Sequence, residues 1–285
     1  MIKRLCIVGV GLIGGSLAMS LRAAGAVEEI IGCSRNSANL KRALTLGVID
    51  RFDTDVSKAV TNADVVVVAS PLGSVRSIFE AMDGRLASHA VITDVGSAKR
   101  CVIEDARAAF GHIPSGLVPA HPIAGTEKSG VNAAFGTLFQ DHRVILTPVA
   151  ETNSDAISCI EEMWKITGAQ VVKLDPDYHD EVLAATSHLP HLLAFTLVDA
   201  LARMDQHDEI FRFSAGGFRD FTRIASSDPT MWHDICLANR EALIGVMEIF
   251  EAQLAYVREK VIEGDGEAIK TLFSRAKSLR DQHIK

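Results

Sequence analysis

The 285-residue chain has no C-x-x-C pair, no lysine- or arginine-rich run, no internal repeat and no low-complexity tract. Its five cysteines (Cys6, Cys33, Cys101, Cys159, Cys236) are odd in number and widely spread, which excludes a disulfide framework. They read as reduced, mostly buried thiols of a cytoplasmic protein. Lys+Arg 29 against Asp+Glu 36 gives a net charge of -7 with no basic cluster. Nucleic acid and acidic membrane surfaces are therefore not expected partners, although a local basic pocket could still take a small anion. With 48% hydrophobic and 23% charged residues, disorder and fibrous folds are excluded as well. One apolar stretch, Leu5 to Leu21 after Met1-Ile-Lys-Arg, imitates a signal peptide. Gly9, Gly11, Gly14 and Gly15 interrupt it, and cleavage would remove the first unit of a strand-helix alternation. No other window is expected to reach the ~18 apolar residues of a membrane span.

Short β-branched runs follow one another: Leu5 to Val8, Ile30 to Cys33, Val65 to Ala69, Val91 to Asp94, Leu117 to Ala120, Val144 to Thr147 and Val171 to Leu174. Helix-like segments separate most of them. Runs such as Val65-Val66-Val67-Val68 suit strands buried on both faces, so the expectation is an α/β, doubly wound parallel sheet. After Leu174 no strand candidate remains. The expected domains are residues 1–174, binding a dinucleotide, and 175–285, all helical. Asp228 followed by Pro229 starts a late helix, along which Leu243, Val246, Phe250, Leu254, Val257 and Val261 form one stripe. That stripe is either core or a subunit interface.

Gly9-Val-Gly11-Leu12-Ile13-Gly14 follows the first strand and opens a helix. Gly9 permits the tight turn, Gly11 lets the backbone approach a pyrophosphate, and Gly14 lets the helix pack on the strand. Ser70-Pro71, directly after the Val65 to Ala69 strand, join the expected cofactor site. At the end of the second strand, where an Asp or Glu would hold the ribose hydroxyls of NAD, stand Ser34 and Arg35. A hydroxyl and a guanidinium can bind a 2′-phosphate, which points to NADP. The alternative is a solvated Arg35 and use of either cofactor.

Two motifs end strands at the edge where open α/β sheets bind ligands: Gly96-Ser97-Ala98-Lys99 and His121-Pro122-Ile-Ala-Gly125-Thr126-Glu127. Ser97 is expected to N-cap the following helix, or to serve the site. His121 is placed to act as a general base on a substrate hydroxyl. The helical part holds His188-Leu-Pro190-His191, Gly216-Gly217-Phe-Arg219-Asp220-Phe-Thr-Arg223 and Ser227-Asp228-Pro229-Thr-Met-Trp232. Pro190 argues against a metal-binding helix face formed by His188 and His191 with His179 and Glu181, and no metal is expected. Arg219 and Arg223 share a helix face at i, i+4; with the histidines they would suit a substrate bearing two carboxylates, or they are salt-bridged surface.

These motifs, G-x-G-L-I-G-G-S, D-V-G-S-A-K, H-P-I-A-G-T-E, S-H-L-P-H, G-G-F-R-D-F-T-R and S-D-P-x-M-W, resemble in sequence and order those of the prephenate and arogenate dehydrogenases of tyrosine biosynthesis. The resemblance spans nearly the whole chain. It implies a Rossmann-type domain followed by a helical dimerisation domain, and a homodimer through the C-terminal helices. It further implies oxidative decarboxylation of a cyclohexadienyl substrate, arogenate to tyrosine or prephenate to 4-hydroxyphenylpyruvate, with hydride transfer to NAD(P). By the same resemblance His121 takes the ring-hydroxyl proton, Ser97 shares that hydroxyl, and Arg223 binds a substrate carboxylate. Thr126, His188, His191 and Gly217 would line the pocket, Trp232 would come across the dimer, and Glu127 would gate the site. Many bacterial members carry Asp where this chain has Ser34, which again points to NADP. No chorismate mutase or regulatory domain is expected to be attached. The rival readings are a β-hydroxyacid dehydrogenase, which relies on a lysine that Glu181 to Leu193 does not offer, and a non-catalytic dinucleotide-sensing protein.

Overall fold

The structure is a computed structural model and describes residues 1–126 and 128–283. Two compact units, residues 1–240 and 241–285, emerge from its packing. In the first unit six parallel strands form a sheet in the order β3-β2-β1-β4-β5-β6: β1 Ile2–Val8, β2 Val27–Cys33, β3 Arg51–Asp53, β4 Val65–Val68, β5 Val91–Asp94 and β6 Leu117–Val118. Alternation along β1 sends Leu5 and Ile7 to one core and Cys6 and Val8 to another, so both faces are covered. The helices doing so include α1 (Leu12–Ala23), α2 (Ser37–Thr45), α3 (Val56–Ala59), α4 (Val75–Met82), α5 (Arg100–Phe110) and α6 (Ser154–Ile166). The strand order reverses between β1 and β4, and a crevice outside their carboxyl ends is where such sheets bind ligands.

Three expectations need correction. The run Leu117 to Ala120 is not one strand: Pro119 has no N–H to give the ladder, and its carbonyl instead accepts from Thr147. The chain changes sheets there. β7 (Ala120–Pro122) pairs antiparallel with β8 (Arg143–Leu146), which pairs parallel with β9 (Gln170–Lys173), so the last two predicted strands build a second sheet instead of extending the first. β3 was not anticipated, because Arg51-Phe52-Asp53 is an edge strand with no apolar run.

Asp175 caps α7 (Pro176–Leu183) by accepting from the N–H groups of Asp177 and Tyr178. A π-helical turn, Ala184–His188, then leads into α8 (Leu189–Ala202). Pro190 is the local cause: it lacks an N–H and its ring crowds the carbonyl four residues earlier. Contrary to the expectation that no window beyond Leu5 to Leu21 would do so, the continuous run Pro176–Ala202 contains a window with mean hydropathy 1.2, long and apolar enough for a membrane. Its buried His179, Asp180 and His188 are nevertheless committed to the protein interior. α9 (His207–Arg212), α10 (Gly216–Thr222) and α11 (Pro229–Ala238) complete the unit, with Asp228 capping α11 as expected.

The late helix does not continue unbroken into its apolar stripe. Asn239 leaves the helical backbone (φ -111, ψ 31) and buries its side chain, and a new helix, α12 (Arg240–Glu263), begins. In the second unit α12 is followed by α13 (Gly266–His283), joined through Gly264 (φ +71) and the capping carboxylate of Asp265. Leu254 and Val261 of the stripe are 56% and 63% exposed.

Candidate active site

The turn after β1 is built around glycine. At Gly9 φ is +105, and a Cβ there would lie 2.3 Å from the carbonyl oxygen of Ala69. A Cβ on Gly14 would meet the Gly9 carbonyl at 2.3 Å and Ile7 Cγ2 at 2.8 Å, so α1 can lie against β1 only because Gly14 has none. Gly11 differs: its Cβ would meet nothing within 4 Å, because it points into open space. No side chain caps α1 and no acid sits in its first turn, which leaves its first N–H groups available to an anion. That open cradle fits a dinucleotide pyrophosphate.

Gly9, Gly11, Ser34, Arg35, Asn36, Asn39, Thr54, Ser70 and Pro71 line a cavity of about 430 Å³. Ser34 Oγ accepts from the N–H of Asn36, and Asn39 is tied to the Val10 carbonyl. A second cavity, about 390 Å³, is lined by Gly11, Leu12, Ile13, Ser70, Pro71, Gly96, Ser97, His121, Thr126 and Asp228, among others. The two share Gly11, Ala69, Ser70, Pro71 and Gly130 and form one cleft. Both volumes fall in the range of small-molecule sites. Gly14 is buried beneath this cleft.

His121 lies within β7, not just after a strand as expected, in register with Ile145. Its Nδ1 is 2.9 Å from Nε2 of His179, and Nδ1 of His179 is 2.7 Å from Oδ1 of Asp180. The Asp180 carboxylate also accepts from the N–H groups of Lys99 (2.8 Å) and Arg100 (3.0 Å), at the N-terminus of α5. Ser97 is thus not the cap of α5; a carboxylate about 80 residues away does that work, and Ser97 is left to the cavity. Burial opposes ionisation of Asp180, but the hydrogen bonds from His179, Arg100 and Lys99 outweigh it and hold the carboxyl below its ordinary range. Desolvation lowers both histidines, His121 well below the usual imidazole value; for His179 it outweighs the opposing pull of Asp180.

Beneath the site Lys99, fully buried, places Nζ 2.5 Å from Asp94 Oδ2 and 2.8 Å from the Ala120 carbonyl. Asp94 Oδ1 in turn accepts from the Ala120 N–H (3.1 Å). This pair holds both backbone groups of the residue preceding His121.

Other expected residues fall elsewhere. His188 is fully buried, accepts at Nδ1 from Asn239 Nδ2 (3.0 Å), and lies outside the lining of the two cavities. Burial pushes its pKa down to about 4. Trp232 is 8% exposed and stacks on His191 (3.7 Å between ring centroids, 19° apart). His191, Gly217 and Arg223 lie outside the lining of the two cavities. α10 ends at Thr222, so Arg223 opens a 3-10 turn and is not on one helix face with Arg219. Glu127 lies outside the described residues. No group of three or more His, Cys, Asp or Glu among the described residues is arranged to hold a metal. The sequence reading missed Asp180 and Asn239, gave Asp94 and Lys99 no role of their own although they begin and end the D-V-G-S-A-K motif, and gave His179 none beyond a rejected metal site; Asn239, a residue type that ends helices, carried a local signal and Asp180 none.

The chain has counterparts among known proteins. Residues 17–173 match the family described as prephenate dehydrogenase, nucleotide-binding domain, and residues 175–275 match prephenate dehydrogenase, dimerization domain. The chain is 37% identical to the cyclohexadienyl dehydrogenase of Zymomonas mobilis over 98% of its length and 95% of that protein. It is also 37% identical to the prephenate dehydrogenase of Bacillus subtilis, over 96% of this chain and 74% of the other. Among solved structures, the A. aeolicus prephenate dehydrogenase in complex with hydroxyphenyl propionate and NAD+ superposes with a TM-score of 0.92 at 36% identity, covering 99% of this chain and 98% of that one. With two family matches that together span most of both units and relatives similar along almost the entire chain, this protein belongs to the prephenate dehydrogenase family.

Proposed function

We propose that this protein catalyses the oxidative decarboxylation of prephenate, arogenate or both, with NADP as the favoured acceptor. The observation that carries this reading is the single cleft into which both the Gly11 cradle and His121 open. The nicotinamide, when bound, supplies the acceptor for the hydride that leaves the hydroxyl-bearing ring carbon. His121 accepts the hydroxyl proton as the carbon becomes a carbonyl, Ser97 shares that hydroxyl, and the electron pair left by the departing CO2 makes the ring an aromatic phenolate, to which His121 returns the proton. Thr126 belongs to the same cavity. Arg223, on a turn that packs against the helices carrying His191 and Gly217, is proposed for the side-chain carboxylate; a guanidinium suits such a group bidentately. Glu127 keeps its proposed role as gate.

NADP is favoured because Ser34 and Arg35 line the nucleotide end of the cleft. The exposed members of the apolar stripe on α12, Phe250, Leu254 and Val261, in the region matching a dimerization domain, support a homodimer through the C-terminal helices. The five free cysteines support residence in the cytoplasm. We keep the substrate-domain boundary at residues 174 and 175, where the two family matches meet, although residues through Arg240 pack with the first unit.

The test is the initial rate of nicotinamide reduction with prephenate or arogenate against NAD or NADP. Turnover in any cell supports the reaction, and a higher kcat/KM with NADP supports the assignment of Ser34 and Arg35. A folded, cofactor-binding protein inactive in all four cells would overturn the reading.

A further inference from the structure

Asp180 and His179 sit behind His121, away from the cleft, and no step of the reaction as described above uses them. Their hydrogen bonds, however, determine which nitrogen of His121 carries its proton. Asp180 receives two main-chain N–H bonds from the N-terminus of α5, Lys99 and Arg100, and one from His179 Nδ1, all at 3.0 Å or less. An acceptor-only carboxylate requires that His179 carry its proton on Nδ1. Neutral His179 then has a lone pair on Nε2, which at 2.9 Å can only accept from His121 Nδ1–H. His121 is left with an unprotonated Nε2, the ring nitrogen not engaged by His179, on a residue that lines the cavity. The reverse polarity would need an imidazolium at His179, in a fully buried position. The charged and titratable groups around His121 are His179, Asp180, His188, Lys99 and Asp94; Asp94 is paired with Lys99 and held by the N–H groups of Gly96 and Ala120.

We propose that His179 and Asp180 are a positioning pair for the base: they fix His121 in the Nδ1–H tautomer, turn its Nε2 toward the substrate, and stabilise the imidazolium formed when it takes a proton. The assignment rests on the dehydrogenase reading for its consequence and on the hydrogen-bond geometry for its substance. Asn239 extends the arrangement, since its Nδ2 donates to the Asp180 carbonyl (2.8 Å) and anchors the segment carrying the pair.

Two side chains separate positioning from bulk. His179→Gln can place an amide oxygen near the position of Nε2 and still accept from His121. His179→Asn can satisfy Asp180 but offers His121 nothing. Loss of tautomer control should lower kcat by about 100-fold or more in His179→Asn, with KM and the cofactor dissociation constant within about threefold of the parent. His179→Gln should recover most of that loss, and the acid limb of its kcat profile should move. Equal kcat in the two variants, or a change confined to KM, would overturn the proposal.

A measurement that needs neither variant accompanies these: long-range 1H–15N correlation of the histidine rings in the unsubstituted protein at pH 7. His121 and His179 should both appear as neutral Nδ1–H tautomers. An Nε2–H tautomer at His121, or an imidazolium at either, would overturn the pair even if a variant fails to fold. Absence of turnover in the four-cell assay alongside the expected tautomers would instead count against the reaction and leave the pair standing.

Discussion

Replacing Lys99 by Met removes the cation from a pair whose side chains are 0% and 1% exposed. The Asp94 carboxylate then stays behind with two main-chain donors, Gly96 N–H at 2.7 Å and Ala120 N–H at 3.1 Å, and no opposite charge. The Ala120 carbonyl also loses its 2.8 Å donor. Breaking a buried pair by deleting one member costs about 3–5 kcal/mol. Adding Asp94→Asn removes the stranded charge, but the amide can accept only one of the two N–H bonds with its single oxygen, so a residual loss of about 1–3 kcal/mol is expected. Urea unfolding followed by the fluorescence of Trp164 and Trp232, both buried in the first unit, reads the change. The single variant should unfold at markedly lower urea than the double variant. If Lys99→Met costs under about 1 kcal/mol, or if the double variant is no more stable than the single, the reasoning from buried charge is refuted. Because Lys99 and Asp94 hold both backbone groups of Ala120, the single variant should also lower kcat/KM at conditions where it remains folded.

Gly11→Ala meets no protein atom within 4 Å, so it should keep its thermal midpoint yet weaken cofactor binding by about tenfold or more. Gly9→Ala, at φ +105 and 2.3 Å from a carbonyl oxygen, should lose folded protein as well, and a Gly11→Ala protein with unchanged cofactor affinity would count against the cradle. Ser34→Asp places a carboxylate where a 2′-phosphate would lie and should shift kcat/KM from NADP toward NAD by about tenfold or more; no shift removes Ser34 from cofactor choice. Arg223→Ala should raise KM strongly, and an unaltered KM would remove it from carboxylate binding. Acidification should destabilise the protein below neutrality. His188 titrates near 4 when folded against about 6.5 when unfolded, so between those values the unfolded chain binds more protons and stability falls as pH falls. That residue alone contributes a loss of about 3 kcal/mol by pH 4, and desolvation of His121, His179 and His191 acts in the same direction. Flat stability between pH 7 and 5 in urea titrations would contradict it.

Local chemistry accounts for what could be read in advance. Gly9, Gly11 and Gly14 announce themselves because backbone approach and close helix packing tolerate no other residue there, and Val65 to Val68 because a strand buried on both faces must be apolar throughout. Asp228-Pro229 marks a helix start for equally local reasons. The family motifs were legible in the same way, as residues in fixed order along one chain.

Tertiary structure decided the rest. That the chain leaves the main sheet at Pro119 depends on Thr147 being there to bind its carbonyl, 28 positions later. That Ser97 does not cap α5 depends on Asp180, which lies 81 residues beyond the N–H of Lys99 that it accepts. The tautomer of His121 depends on a partner 58 residues away, and neither His179 nor Asp180 stands in any pattern that periodicity or spacing could flag. The amino-acid sequence by itself determined the doubly wound sheet and the glycine cradle, and it singled out the histidine proposed here as the base, since each rests on neighbours in the chain. Which charges are buried together, and which nitrogen of the base is free, was decided only when folding brought distant residues within hydrogen-bonding distance in a medium too dry to leave them unpaired.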